Sequence, residues 1–66
     1  MQLAAAPAEL FPVRAIGFAL AERLMLPAGH PDKAGVATDI QDAMWQHGCE
    51  PIFKAMAEAL KELETA

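Results

Sequence analysis

VATDIQDAMWQHGCEPIFKAMAEALKEL, residues 36 to 63, carries two helical periods separated by a single glycine. Placed at 100° per residue, Ile52, Phe53, Met56, Leu60 and Leu63 form one broad apolar stripe, with Ala59 at its edge. Lys54, Glu58, Lys61 and Glu62 occupy the opposite side. Lys54 and Glu58 are four apart and Glu58 and Lys61 three apart, a spacing that lets them pair weakly on a solvated face. Before the glycine, Val36, Ile40, Ala43, Met44 and His47 share a face that should meet a core. Gly48 suits a left-handed helix end, and Pro51 is acceptable as a first helical residue. These signals predict helices over about 33–47, with Asp32 as N-cap, and about 51–64.

Upstream, PAGHPDK (27–33) is a connection with two prolines and a glycine. A further helix is expected over about 12–26, started by Pro12 or entered from Ala8, with residues 1–11 as an N-terminal arm. This first helix has two apolar faces. Val13, Ile16, Leu20 and Leu24 line one; Phe11, Phe18 and Met25 line another on nearly the opposite side, flanked by Arg14 and Glu22. A helix apolar all round belongs in the middle of something. Either the other two helices clamp it, or its second stripe faces another subunit. Gly17 and Ala21, four apart, would let a helix approach closely.

The chain has 66 residues, and 15 of its 36 hydrophobic residues are alanine. Alanine favours helix but contributes little burial. Val and Ile are scarce and Tyr is absent, so β structure lacks its usual material. The expected fold is all-α: one helical domain over 1–66, a small three-helix bundle or a helical hairpin plus one helix. A lone core is marginal at this length, and one cysteine excludes an intramolecular disulfide, so extra burial in a homodimer is expected. The single cysteine also fits a reducing compartment. The composition is common among small bacterial and phage proteins.

Nine acids against five bases give a net charge of -4, with no run of Lys or Arg. Nucleic acid and anionic membranes are poor partners for such a surface. MQLAAAPAEL has no basic region before an apolar run, so it does not read as a secretory signal. Pro12 to Leu26 carries Arg14, Glu22 and Arg23 and is too short to span a bilayer. A soluble, cytoplasmic protein is expected.

His47-Gly48-Cys49-Glu50, with His30 nearby in sequence, is the most chemically suggestive cluster. It lacks the paired Cys or His spacing of a zinc site, so no metal or other cofactor is expected. Nucleophilic catalysis by Cys49 with His47 or His30 would need a base in reach, an oxyanion site and a pocket, for which the chain has little room. Serine is absent, and no glycine-rich phosphate loop occurs. Asp39/Asp42 and Glu58/Glu62 read as solvated faces. No enzyme activity and no small-molecule substrate are expected.

A helix-turn-helix reading of the last two helices would present EPIFKAMAEAL, with one Lys and no Arg, Asn or Gln to read bases. A DNA-associated accessory protein is therefore the alternative rather than the first reading, as is a structural subunit of a larger assembly. The first reading is a non-catalytic regulator, inhibitor or assembly factor that binds another protein. Trp45 carries it. The indole projects near Thr38 and Gln41, opposite Val36 and Ile40. It is covered by the N-terminal arm through Leu3 or Leu10, by a second subunit, or by a different protein. The candidate interface thus comprises Trp45, Gln41 and Thr38 on one helix, and Phe11, Phe18, Met25, Arg14 and Glu22 on another.

Overall fold

The computed structural model describes the backbone of residues 5–65 and the side chains of residues 12–65. Three helices follow one another: α1 (Ala5–Leu24), α2 (Val36–His47) and α3 (Cys49–Thr65), with a 3-10 turn at Pro31–Lys33 between the first two. The described residues contain no strand, and the architecture is an all-α three-helix bundle. No described helix is long and apolar enough to cross a membrane.

Each boundary has a local cause. Residues 5–11 are helical, which corrects the expected arm; the proposed contacts of Leu3, Leu10 and Phe11 lie outside the described side chains. Alanine at 5, 6 and 8 favours helix, and Pro12 lies inside α1 instead of starting it. Its ring fixes φ near the helical value, so the helix continues, but the Ala8 carbonyl loses its i+4 donor. At the other end α1 stops at Leu24, where the Met25 N–H is shared between the carbonyls of Ala21 and Glu22, both at 3.2 Å.

The start of α2 also moves. Asp32 does not cap it; Pro31–Lys33 closes a separate 3-10 turn, in which the Asp32 N–H donates to Nδ1 of His30 at 3.1 Å. Gly35 takes the N-cap position, and Val36 is the first residue of α2. Between α2 and α3 only Gly48 is non-helical, so the expected three-residue turn is a one-residue corner. Gly48 has φ +100, a backbone that side-chain-bearing residues rarely adopt, and its N–H donates to the Met44 carbonyl at 2.9 Å. Cys49 opens α3, which places Pro51 third, where a missing N–H has no intrahelical acceptor to disappoint.

α1 packs most extensively on α3 and also touches α2. The core holds Leu20, Val36, Ile52 and Met56, with Ala21, Ala43, Ala55 and Ala59 filling the spaces between helix backbones. Val13, Ile16, Leu24, Ile40 and Met44 pack around it, partly covered. The core face of α2 is the one its period implies. The face of α3 is rotated: Ala55 and Ala59 are buried, whereas Phe53 is 66% exposed and does not belong to the core. The cause lies in α1, where Gly17 leaves no Cβ and the helix seats directly on Ala55. Burial follows the helix–helix contact rather than the largest side chains.

Few large residues are covered, and Trp45, Phe53 and Met25 stand exposed among the described residues.

Candidate protein-interaction surface

Trp45 is the most exposed of these three: the indole is 90% exposed. Its position follows from the α2 period. Val36 and Ala43 are buried and Ile40, Met44 and His47 half-buried, so position 45 falls on the opposite side. Thr38 and Gln41, seven and four residues earlier, are exposed on that same outer face. Among the described residues nothing covers the indole; the arm, expected to cover it through Leu3 or Leu10, lies outside the described side chains.

The orientation of α2 is fixed by an arginine that the helical periods left unplaced. Arg23, in the last turn of α1, donates from Nε to the Asp32 carbonyl at 2.8 Å and from Nη2 to the Ala34 carbonyl at 2.9 Å. Its Nη1 meets Oδ2 of Asp39 at 2.5 Å, in the first turn of α2. One guanidinium thus ties α1, the connection and α2 together, using the planar fork that lysine lacks. Lys33 adds a second tie, donating to the Leu26 carbonyl at 2.9 Å. Asp39 and Asp42 have no basic neighbour on their own helix; the cation comes from α1, and that cross-helix pairing was not legible from α2 alone. Among the described residues Arg23–Asp39 is the one ion pair, so Lys54, Glu58 and Lys61 remain unpaired despite their spacing.

The second stripe of α1 is divided. Phe18 is half-buried, Met25 is 51% exposed, and Arg14 and Glu22 are exposed; the Phe11 side chain lies outside the described residues. The stripe is not clamped between α2 and α3. It borders a shallow groove between α1 and α3. One section, of about 450 Å³, is lined by Val13, Glu50, Pro51 and Lys54; the next, of about 290 Å³, by Ala15, Phe18, Ala59 and Glu62. Arg14, Ala55 and Glu58 border both.

His30 caps the 3-10 turn, and the Cys49 thiol is exposed and lies 3.8 Å from the Met44 sulfur. Among the described residues no three His, Cys, Asp or Glu side chains are gathered where a metal ion could be held. Compared with protein-family models, with curated proteins and with solved structures, the chain has no match in any of the three.

Proposed function

We propose that this chain is a non-catalytic protein-interaction module, a small regulator, inhibitor or assembly factor, that docks on another protein through the outer face of α2. The observation that carries the reading is Trp45, 90% exposed on a helix whose other face is committed to the core. A buried tryptophan covers about 150–250 Å², and at about 25 cal/mol per Å² its removal from water is worth roughly 4–6 kcal/mol. That is as large as the whole stability a core of this size supplies, about 3–5 kcal/mol. Leaving such a side chain in water makes physical sense where a partner covers it, and tryptophan is a favoured anchor of protein interfaces. Thr38 and Gln41, exposed on the same face, add hydrogen-bonding groups to it.

Self-association is the second form of the same reading, supported by the half-covered Phe18 and the exposed Met25 on α1. A DNA-associated role draws less support, because α2 and α3 meet at a one-residue corner and the exposed side of α3 mixes Lys54 and Lys61 with Glu58 and Glu62.

A photo-crosslinker at position 41, used in the cell of origin, tests the reading. It should trap one defined protein, and Trp45→Ala should abolish that adduct without moving the melting temperature. Trapping only a second copy of the chain would establish the homodimer instead. A large loss of stability in Trp45→Ala would make the indole part of the fold and defeat the proposal.

A further inference from the structure

We infer that His30 is a pH-sensitive latch on the α1–α2 connection. Its neutral imidazole closes the 3-10 turn at Pro31–Lys33, and its protonation opens that turn. The latch stands apart from the Trp45 face and does not depend on what the indole meets.

The turn needs an acceptor where His30 stands. Pro31 has no N–H, so Asp32 carries the first donor of the turn, too early to reach a carbonyl within it. His30 occupies the N-cap with φ -65 and ψ 135, and its Nδ1 accepts the Asp32 N–H at 3.1 Å. The His30 carbonyl accepts the Lys33 N–H at 3.0 Å. One residue therefore closes the turn with both its backbone and its side chain.

Only one form of the ring can do this. Nδ1 accepts when it carries no proton, which puts the neutral ring's proton on Nε2; in the imidazolium both nitrogens donate. Protonation thus sets a donor against the Asp32 N–H, and the bond is lost. The bond is present at the alkaline end and disappears as pH falls. Histidine is the side chain whose charge changes between about pH 5 and 8, so mild acidification is enough to work the latch.

The surrounding charges do not oppose this. α1 brings Arg23 to the connection, α2 brings Asp39, and the turn itself carries Asp32 and Lys33. Arg23 and Asp39 are bonded to each other, and Lys33 is bonded to the Leu26 carbonyl. The Asp32 carboxylate makes no ion pair among the described residues. It would draw an imidazolium toward itself and off the Asp32 N–H, which also breaks the cap.

What the latch secures is the arginine tether. The Asp32 carbonyl, on the residue whose N–H His30 fixes, accepts from Arg23 Nε at 2.8 Å. The Ala34 carbonyl, one residue past the turn, accepts from Nη2 at 2.9 Å. Opening the turn frees both acceptors and leaves the Arg23–Asp39 pair and the Lys33 bond to tie α2 to α1. The seam of α1 on α3, where Gly17 meets Ala55, contains no residue of the connection and stays closed. His47 lies in the last turn of α2 and makes no hydrogen bond to the connection among the described residues.

Heteronuclear NMR on the full chain tests the latch. Near the alkaline end, at about pH 8, the two ring nitrogen shifts of His30 should report the Nε2–H tautomer. At about pH 5 the Asp32 amide should exchange with water about two- to tenfold faster than the pH change itself accounts for, the effect of losing one hydrogen bond. Amides of Leu20, Ile52 and Met56 should not share that change. His30→Asn, whose side-chain oxygen accepts at an N-cap without titrating, should keep the Asp32 amide protected throughout. His30→Ala should leave it unprotected throughout, and His47→Gln should leave the native response in place. The inference is overturned by an Nδ1–H tautomer, by Asp32 protection that ignores pH, or by core amides that change by the same factor. A pH response that survives in His30→Asn, or vanishes in His47→Gln, overturns it as well.

Discussion

Gly17 of α1 and Ala55 of α3 meet so closely that a β-carbon on Gly17 would stand 2.5 Å from the Ala55 Cβ and 3.0 Å from its carbonyl carbon. The crossing of the two helices is therefore set by the absence of one methyl group. Ala21, one turn on, is fully buried in the same seam. With Ala55 and Ala59 opposite, small residues let the backbones approach and bring Leu20, Ile52 and Met56 into one cluster.

Two effects of opposite sign meet in Gly17→Ala. Helix propensity favours alanine by about 1 kcal/mol. Overpacking a close contact costs about 1–3 kcal/mol, and here the obstructing atoms include backbone, which cannot rotate away. The steric term should win, giving a net loss of up to about 2 kcal/mol and a lower melting temperature. Adding Ala55→Gly should recover part of the loss, since it removes the nearest atom. An unchanged or raised melting temperature in the single variant would mean that α1 does not seat on Ala55.

Arg23 should matter more than its ion pair. Removing Asp39 leaves the guanidinium bonded to the Asp32 and Ala34 carbonyls, and a half-exposed pair of this kind contributes at most about 1 kcal/mol. Arg23→Ala also removes both carbonyl bonds, at about 0.5–1.5 kcal/mol each. The expected order of destabilisation is Arg23→Ala above Arg23→Lys above Asp39→Ala. Chemical denaturation with urea measures it directly. Equal losses for Arg23→Ala and Asp39→Ala would show that the carbonyl bonds contribute nothing.

Gly48 should resist replacement for a backbone reason. Its φ of +100 and ψ of 142 lie where L-residues are strained, and an added β-carbon would stand 3.1 Å from Cδ of Pro51. Gly48→Ala should therefore cost about 1–3 kcal/mol. A chain this short is within reach of chemical synthesis, so D-alanine at position 48 provides the control: its preferred φ is positive, and it should be tolerated better than L-alanine. Equal melting temperatures for the two would locate the cost elsewhere.

Helix class, helix number and the core face of α2 were legible in the residues because they depend on period and punctuation, which are local. The boundaries were less so. Pro12 reads as a start signal, yet a proline removes only one hydrogen bond when alanines on its N-terminal side already favour helix. The interaction surface divides the same way. Trp45 was legible as outward-facing from its angle to Val36 and Ile40. Its exposure was not, because whether anything covers it is a tertiary fact. Arg23 went unplaced for the same reason: its partners lie nine to sixteen residues away across a connection whose path no helical period describes.

Ile52 and Phe53 are neighbours in sequence that the fold separates completely, and they offer the sharpest test of which side of α3 is core. Ile52 is fully buried against α1 and α2, and Phe53 is 66% exposed. By side-chain size alone Phe53 would be the greater loss. By position, Ile52→Ala removes buried methyl and methylene groups and leaves a cavity, at a cost of about 2–5 kcal/mol. That matches the few kcal/mol available to a domain of this length, so the variant should be largely unfolded at room temperature. Phe53→Ser removes a side chain that is already two-thirds in water and should cost no more than about 1–2 kcal/mol. Far-UV circular dichroism with thermal melting reads both. A well-folded Ile52→Ala beside a collapsed Phe53→Ser would turn α3 by about 100°, and the groove that depends on its orientation would go with it.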